Sequence, residues 1–315
     1  MKLRAYLVML LIVAIWGSTF VVVKAALADA SPAIYNSIRM VIAFVFLSIL
    51  YRHNWRGINR YKILSGALVG FFLTMGYEFQ TVGLARTTPS KSAFITGLLV
   101  VMVPFLSLLP GLRPAGLQRP GWNAFLGAAL AFVGIVLLTV PAAAAHGGGT
   151  ALTSLLPDLS AINPGDLLTL GGALGFALHT LALSHTSPRI GFQQLAILQI
   201  GFSAIFMGIS LPFLDHAILH WTPRLVVALL ISSIFATSIA FTAQTWAQSI
   251  LPPTHMAILF TLEPFFAWLT SFLVMGERMT MRPACGALLI LAGILITELL
   301  APVARPASQA VSTTA

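Results

Sequence analysis

The chain has 315 residues, of which 58% are hydrophobic and only 8% are charged, and its mean hydropathy is +0.95. Soluble domains carry about a quarter charged residues, so this composition excludes a water-soluble globular protein and indicates an integral membrane protein. The net charge of +9 is spread between apolar segments, which argues against a nucleic-acid partner. The single cysteine, Cys285, excludes an intramolecular disulfide.

The first apolar segment runs from Ala5 to Val23 behind two basic residues. It is longer than the hydrophobic region of a signal peptide. Lys24 also separates it from Ala28-Asp29-Ala30, a tripeptide with the form of a cleavage site. We therefore interpret this segment as the first transmembrane helix.

Further apolar segments of bilayer-spanning length follow along the whole chain. They are too long and too uniformly apolar for the strands of a membrane barrel, so we predict an all-α integral membrane protein with ten transmembrane helices. The predicted spans are residues 5–27, 33–51, 62–84, 92–110, 122–140, 166–184, 192–213, 225–246, 254–275 and 283–300.

The basic residues are distributed unequally between the two sides of the membrane when the spans alternate in direction. One side carries Lys2, Arg4, Arg52, Arg56, Arg60, Lys62, Arg113, Arg119, Arg189 and Arg305, and the other carries Arg86, Lys91, Arg224, Arg278 and Arg282. Because cytoplasmic loops are enriched in Lys and Arg, this bias predicts a multi-pass protein of the inner (cytoplasmic) membrane with both termini in the cytoplasm.

The one long connection is rich in Ala and Gly and contains no Lys or Arg. It divides the chain into a first five-helix unit at 1–140, a linker at 141–165, a second five-helix unit at 166–301 and a short tail at 302–315. Two copies of an odd number of helices enter the membrane in opposite directions. We therefore expect two inverted repeats, an organisation typical of secondary transporters.

A weak internal repeat supports this division. Pro104 and Pro264 lie at corresponding positions of spans 4 and 9. Gly127 and Gly134 in span 5 likewise correspond to Gly286 and Gly293 in span 10. We expect these residues to be structural.

Several ordered motifs resemble those of the EamA-type members of the drug/metabolite transporter superfamily. They are Trp16-Gly17-Ser18-Thr19-Phe20 with Lys24, Arg39 in span 2, Thr87 to Gly97 leading to Pro104, Leu262-Glu263-Pro264, and Gly276-Glu277-Arg278. The resemblance implies a carrier of small metabolites or drugs with its substrate cavity between the two halves. The turn Gly111-Leu112-Arg113-Pro114 departs from the family pattern because it lacks an acid.

Ionisable residues inside a membrane are costly and mark functional sites. Glu263 precedes Pro264, which weakens the helix beside the carboxylate, so Glu263 is a candidate for ion coupling or, alternatively, for helix packing. Glu78 is the sole acid of span 3 and a second ion-coupling candidate. Arg39 either faces the cavity or forms an ion pair with one of these acids. Lys24 either binds an anionic substrate group or extends to the membrane interface.

The substrate cavity is predicted to be lined by Trp16, Thr19, Lys24, Arg39, Tyr77, Glu78, Gln80, Gln244 and Trp246. His179 is a candidate proton relay or a packing histidine. The spacing of His216 and His220 suits a metal, but no third ligand accompanies them, so we predict no metal site. Hydrolase, zinc-protease and phosphate-loop motifs are missing. We predict no cofactor and no enzymatic activity.

The sequence thus predicts a secondary active transporter of small metabolites, amino-acid-like compounds or drugs. It would work by alternating access, as a proton-coupled carrier or an exchanger, with a small-molecule substrate and membrane lipids as partners. A facilitative channel or a translocator of lipids or lipid-linked substrates remains the alternative. Substrate, direction and oligomeric state stay open.

Overall fold

A computed structural model of the chain describes residues 2–113, 120–140, 162–214, 217–248, 251, 256 and 259–300. Apart from one isolated bridge between Ala30 and Leu219, the regular structure of these residues is helical. The helices are α1 Lys2–Ala26, α2 Pro32–Leu50, α3 Arg60–Arg86, α4 Pro89–Gly97, α5 Leu99–Leu106, α6 Trp122–Thr139, α7 Pro164–Thr186, α8 Phe192–Leu214, α9 Pro223–Leu230, α10 Ala240–Gln248, α11 Glu263–Met275 and α12 Met281–Leu299. A π-helical segment, Ile231–Ile239, joins α9 to α10.

Local sequence signals fix where several helices begin. Asn59 caps α3, Thr88 caps α4, Asn163 caps α7 and Thr222 caps α9, each accepting a hydrogen bond from a backbone N–H of the first turn. The last three caps are followed by proline, whose fixed φ and missing N–H suit the first helical position.

Seven helical segments of the described chain are long and apolar enough to cross a membrane. They are Lys2–Ala26, Pro32–Leu50, Pro89–Leu106, Trp122–Thr139, Pro164–Thr186, Phe192–Phe213 and Pro223–Gln248. Two further apolar stretches are shorter, namely α11 and residues Met281–Thr297 of α12. The 27-residue α3 is long enough but carries a glutamate within it. These seven segments confirm the prediction of a multi-pass, all-helical membrane protein.

Three of the predicted spans are interrupted. Span 4 starts at Pro89 and consists of α4 and α5, with a break at Leu98. Span 8 contains the π-helical segment. Span 9 turns at Thr261 and Leu262 before α11 begins. The last break has a clear cause, because Pro264 has no N–H to donate to the carbonyl four residues earlier.

Glycine-lined contacts hold α6 against α12. A Cβ on Gly127 would lie 2.4 Å from the carbonyl oxygen of Gly293, and one on Gly134 would lie 2.7 Å from that of Gly286. The pairing runs in opposite directions along the two helices, so α6 and α12 are antiparallel. The four glycines that the internal repeat singled out therefore face one another across one seam.

A second seam joins α3 to α7. A Cβ on Gly83 would lie 2.6 Å from the carbonyl oxygen of Gly165, and one on Gly175 would lie 2.5 Å from the backbone nitrogen of Gly76. Small residues let helix backbones approach this closely in membranes. Both seams connect a helix before the long connection to a helix after it, so the two predicted halves are interleaved rather than side by side.

A polar contact ties two loops together at one face of the bundle, where α1 and α3 end, which we call the Lys24 face. The carboxylate of Asp29 accepts hydrogen bonds from Arg224 Nε and Nη2, both at 2.8 Å, and from Thr222 Oγ1 at 2.7 Å. The Arg224 hydrogen bonds lower the pKa of Asp29 to about 2. The carboxylate is therefore ionised and the contact intact at neutral pH.

Candidate functional site

A cavity of about 80 Å³ lies among the helices. Its lining includes six aromatic side chains, and we call it the aromatic cavity: Trp16, Phe20, Tyr77, Phe176, Phe241 and Phe260. Polar groups interrupt these walls at Thr19, Arg39, Gln80, Thr96, Gln244 and Glu263. A mainly apolar surface with placed polar groups is the usual lining of a small-molecule site.

Arg39 contributes the positive charge of the cavity. Its side chain is only 3% exposed, and it donates from Nε to Thr237 Oγ1 at 2.7 Å and from Nη2 to Tyr77 Oη at 3.0 Å. The ion pair that the sequence suggested for Arg39 is not formed, because the only ion pairs between described residues are Lys91 with Asp166 and Arg224 with Asp29. Two hydroxyl groups take the place of the expected carboxylate.

The π-helical segment supplies part of this arrangement. Thr237, which accepts from Arg39, lies within the segment and donates to the carbonyl of Ser232 at 2.8 Å. The segment also offers the carbonyl of Ala236 to Trp16 Nε1, at 2.8 Å. Such π-helical turns are rare and frequently occur at functional sites. Here the segment accepts hydrogen bonds from Arg39 and Trp16 and so holds both side chains at the cavity.

Glu263 contributes the one carboxyl group of the cavity lining. It is the first residue of α11, where unpaired N–H groups and the helix dipole favour a carboxylate. No side chain within the described residues forms a hydrogen bond or ion pair with this carboxylate. The neighbouring α1 packs closely here, because a Cβ on Gly17 would lie 2.6 Å from the Glu263 carbonyl oxygen.

The other acid, Glu78, lies outside the cavity lining although its neighbour Tyr77 lines it. The Glu78 side chain is 7% exposed, and both carboxylate oxygens are buried. Asn36 and Ser210 face the carboxylate, but neither makes a hydrogen bond of good geometry to it. Asn36 instead donates to the Tyr77 carbonyl at 3.1 Å, which connects the surroundings of Glu78 to the cavity wall.

Lys24 also lies outside this cavity. Its Nζ donates to the carbonyl oxygens of Leu84 at 2.8 Å and Ala85 at 3.0 Å, where the last carbonyls of α3 have no helical partner. Lys24 lines a second depression of about 360 Å³, which we call the vestibule, together with Arg86, Lys91, Ser271 and Glu277. The ammonium group thus stabilises the end of α3 rather than facing the aromatic cavity.

The remaining predicted side chains lie either at the aromatic cavity or in the apolar core. Trp16, Thr19, Tyr77, Gln80 and Gln244 line the cavity, and the amide oxygen of Gln244 has no hydrogen-bond partner in the described part of the chain. Trp246 packs instead against the large apolar cluster of the core.

Phe176 and Thr180 line the cavity from α7 beside His179. The sequence did not predict either residue as part of the site. His179 Nε2 lies 2.9 Å from Gln199 Oε1, so this histidine both lines the cavity and is held by packing. The three residues Phe176, His179 and Thr180 are spaced so that they share one face of a helix. This spacing is the sequence signal that indicates them.

Metal ligation has no support in the described residues, where no three His, Cys, Asp or Glu side chains come together. His216, part of the one suggestive sequence spacing, lies outside the residues that the structure describes.

A multi-pass helical fold around a mainly apolar cavity is the form expected of a membrane transporter. Residues 3–140 and 163–299 match the EamA-like transporter family, and the chain belongs to that family, within the drug/metabolite transporter superfamily. This confirms the resemblance that the sequence motifs indicated.

Known relatives extend over nearly the whole chain. An uncharacterized transporter of Archaeoglobus fulgidus is 34% identical over 95% of this chain and 87% of its own length. A probable amino-acid metabolite efflux pump of Salmonella typhimurium is 24% identical over 91% of this chain and 92% of its own length. A solved crystal structure superposes with a TM-score of 0.62 at 18% identity, covering 95% of this chain and 97% of that one, and so shares the fold.

Proposed function

We propose that this chain is a secondary transporter that exchanges protons for a small zwitterionic, amino-acid-like metabolite across the cytoplasmic membrane. In this proposal ten segments cross the bilayer: the seven long apolar ones, α3, the broken segment that ends in α11, and α12. Both termini are cytoplasmic, and the Lys24 face is the outer face, as the distribution of basic residues favours.

The observation that carries the proposal is an arginine and a glutamate on the wall of one aromatic cavity. Arg39 uses two of its five N–H groups on Thr237 and Tyr77, which leaves donors for a substrate carboxylate. Glu263 has no protein partner among the described residues and is available for a substrate ammonium group. The aromatic walls suit an apolar side chain, and a relative named as an amino-acid metabolite efflux pump supports this substrate class.

Proton exchange follows from the same carboxylate. Glu263 can bind the ammonium group or a proton but not both, so proton entry releases the substrate and substrate entry displaces the proton. The cavity would be exposed alternately to each side of the membrane. Because the α3–α7 and α6–α12 seams are too close to separate, we assign the movement to the broken helices α4, α5 and α11 rather than to a rocking of complete five-helix halves.

Counterflow in liposomes tests this proposal. Vesicles containing the purified protein are loaded with unlabelled amino acids one at a time, and entry of the labelled compound is measured with and without competitors. We expect uptake of an amino acid with an apolar side chain, and little competition from its N-acetyl or methyl-ester derivative. Equal competition by either derivative, or counterflow of a permanently cationic drug but of no amino acid, would contradict the zwitterion site.

A further inference from the structure

One carboxylate at the vestibule links two helices that the chain separates widely. Glu277 Oε2 accepts a hydrogen bond from Ser90 Oγ at 2.8 Å and from the Ser90 backbone N–H at 3.3 Å. The same oxygen accepts a hydrogen bond from Ser271 Oγ. Ser90 belongs to the first turn of α4 and Ser271 to the last turn of α11, so Glu277 joins the beginning of α4 to the end of α11.

The contact is built from buried groups. The side chains of Ser90 and Ser271 are both 0% exposed. Gly276, with φ of +67°, ends α11 and turns the chain back so that the half-buried Glu277 reaches both hydroxyls. Loss of the carboxylate would leave two buried hydroxyls and one helix N–H without their acceptor, an arrangement that buried polar groups avoid.

The two helices also meet at the aromatic cavity. A Cβ on Gly97, the last residue of α4, would lie 3.2 Å from the ring of Pro264 in the first turn of α11. Helix α11 therefore has Glu263 at its cavity end and Glu277 just beyond its vestibule end. A displacement of α11 relative to α4 would affect both acids together.

The contact has no counterpart in the corresponding turn of the first half. Gly111 also has a positive φ, +79°, near the end of α5, but the next residue is Leu112 and not an acid. A leucine cannot accept hydrogen bonds from a helix N-terminus or from serine hydroxyls. The carboxylate is therefore present at only one of these two glycine turns.

We propose that Glu277, Ser90 and Ser271 form a latch that closes the vestibule end of the transport path by holding α4 against α11. This inference rests on the proposed function, because a latch matters only if the path opens to that face. Lys24 lies near enough to Glu277 for their charges to interact, so the ends of α1 and α3 adjoin the latch. Release of the latch would let α4 and α11 separate and connect the cavity to the vestibule.

The distance between two spin labels tests the latch without any substrate. Labels are attached at Lys91→Cys on α4 and Met275→Cys on α11, in a Cys285→Ser background, and the distance distribution is measured by pulsed electron paramagnetic resonance in nanodiscs. We expect one narrow population with Glu277 present. In Glu277→Ala we expect a second population at longer distance. Unchanged distributions would overturn the latch.

Two further variants make the result specific. Asp29→Asn breaks a different polar contact of the Lys24 face without touching α4 or α11, and it should leave the distribution narrow. If it widens the distribution as much as Glu277→Ala, the face is loosened generally and the latch is refuted. If Glu277→Ala fails to fold, Ser271→Ala keeps the carboxylate and its Ser90 contact and should still broaden the distribution. Altered distances in a protein that exchanges no substrate would refute the proposed function while supporting the latch.

Discussion

Replacement of Glu263 by glutamine is expected to abolish substrate accumulation driven by a pH gradient, so that the ratio of internal to external substrate falls to about one, the value for a carrier without coupling. Glutamine matches glutamate in shape, but its amide neither takes up nor releases a proton near neutral pH. Its amide oxygen still accepts a hydrogen bond from an ammonium group. We therefore expect Glu263→Gln to fold and to retain counterflow at raised substrate concentration, measured in the same liposomes.

Glu78→Gln is the matched control, because it makes the same chemical change at a buried acid that does not line the cavity. It should retain pH-driven accumulation. Survival of accumulation in Glu263→Gln would contradict the coupling role of Glu263. Loss of pH-driven accumulation in Glu78→Gln alone would place the coupling acid outside the cavity.

The Gly293→Leu substitution is expected to produce the largest loss of stability, about 3 kcal/mol or more, at the upper end of the range for overpacked cores. A Cβ at this position would lie 2.4 Å from the Gly127 carbonyl oxygen and 3.0 Å from the Ala131 backbone nitrogen. Backbone atoms cannot move aside as the end of a flexible side chain can. Thermal unfolding in detergent, followed by tryptophan fluorescence, measures the effect.

Gly208→Leu provides the control for this substitution. Gly208 lies within α8, and no atom of the described residues lies within 4 Å of a Cβ built there. Leucine also favours the helix more than glycine does. The melting temperature of Gly208→Leu should therefore equal or exceed that of the unmodified protein. Equal melting temperatures for both variants would show that the α6–α12 seam is not required for stability.

Features governed by composition and spacing could be predicted from the sequence. Long apolar segments must form helices in a bilayer, and seven of them are present at the expected places. The repeated glycines of α6 and α12 are predicted to be structural, and in the structure they line a seam between these helices. Several residues predicted to line the cavity do so, among them Trp16, Arg39 and Tyr77, and the ion-coupling candidate Glu263 lies beside them.

Features governed by the rotation of each helix could not be predicted in this way. Tyr77 and Glu78 are neighbours, yet only Tyr77 lines the cavity, because packing against other helices sets which face turns inward. Lys24 binds backbone carbonyls of α3. Every residue has a backbone carbonyl, so no sequence pattern indicates which ones a lysine will bind. The hydroxyl of Thr237 replaces the expected carboxylate partner of Arg39 only because a π-helical segment presents it.

Protection of the cavity by substrate is the most direct test of the claim that this cavity is the transport site. Thr180 lines the cavity and is replaced by cysteine in a Cys285→Ser background. The rate of its modification by a small thiol reagent is then measured with the amino acid that gives counterflow and with its N-acetyl derivative. We predict that the transported amino acid slows modification several-fold and that the derivative does not. Equal modification rates with and without the transported amino acid would contradict the account.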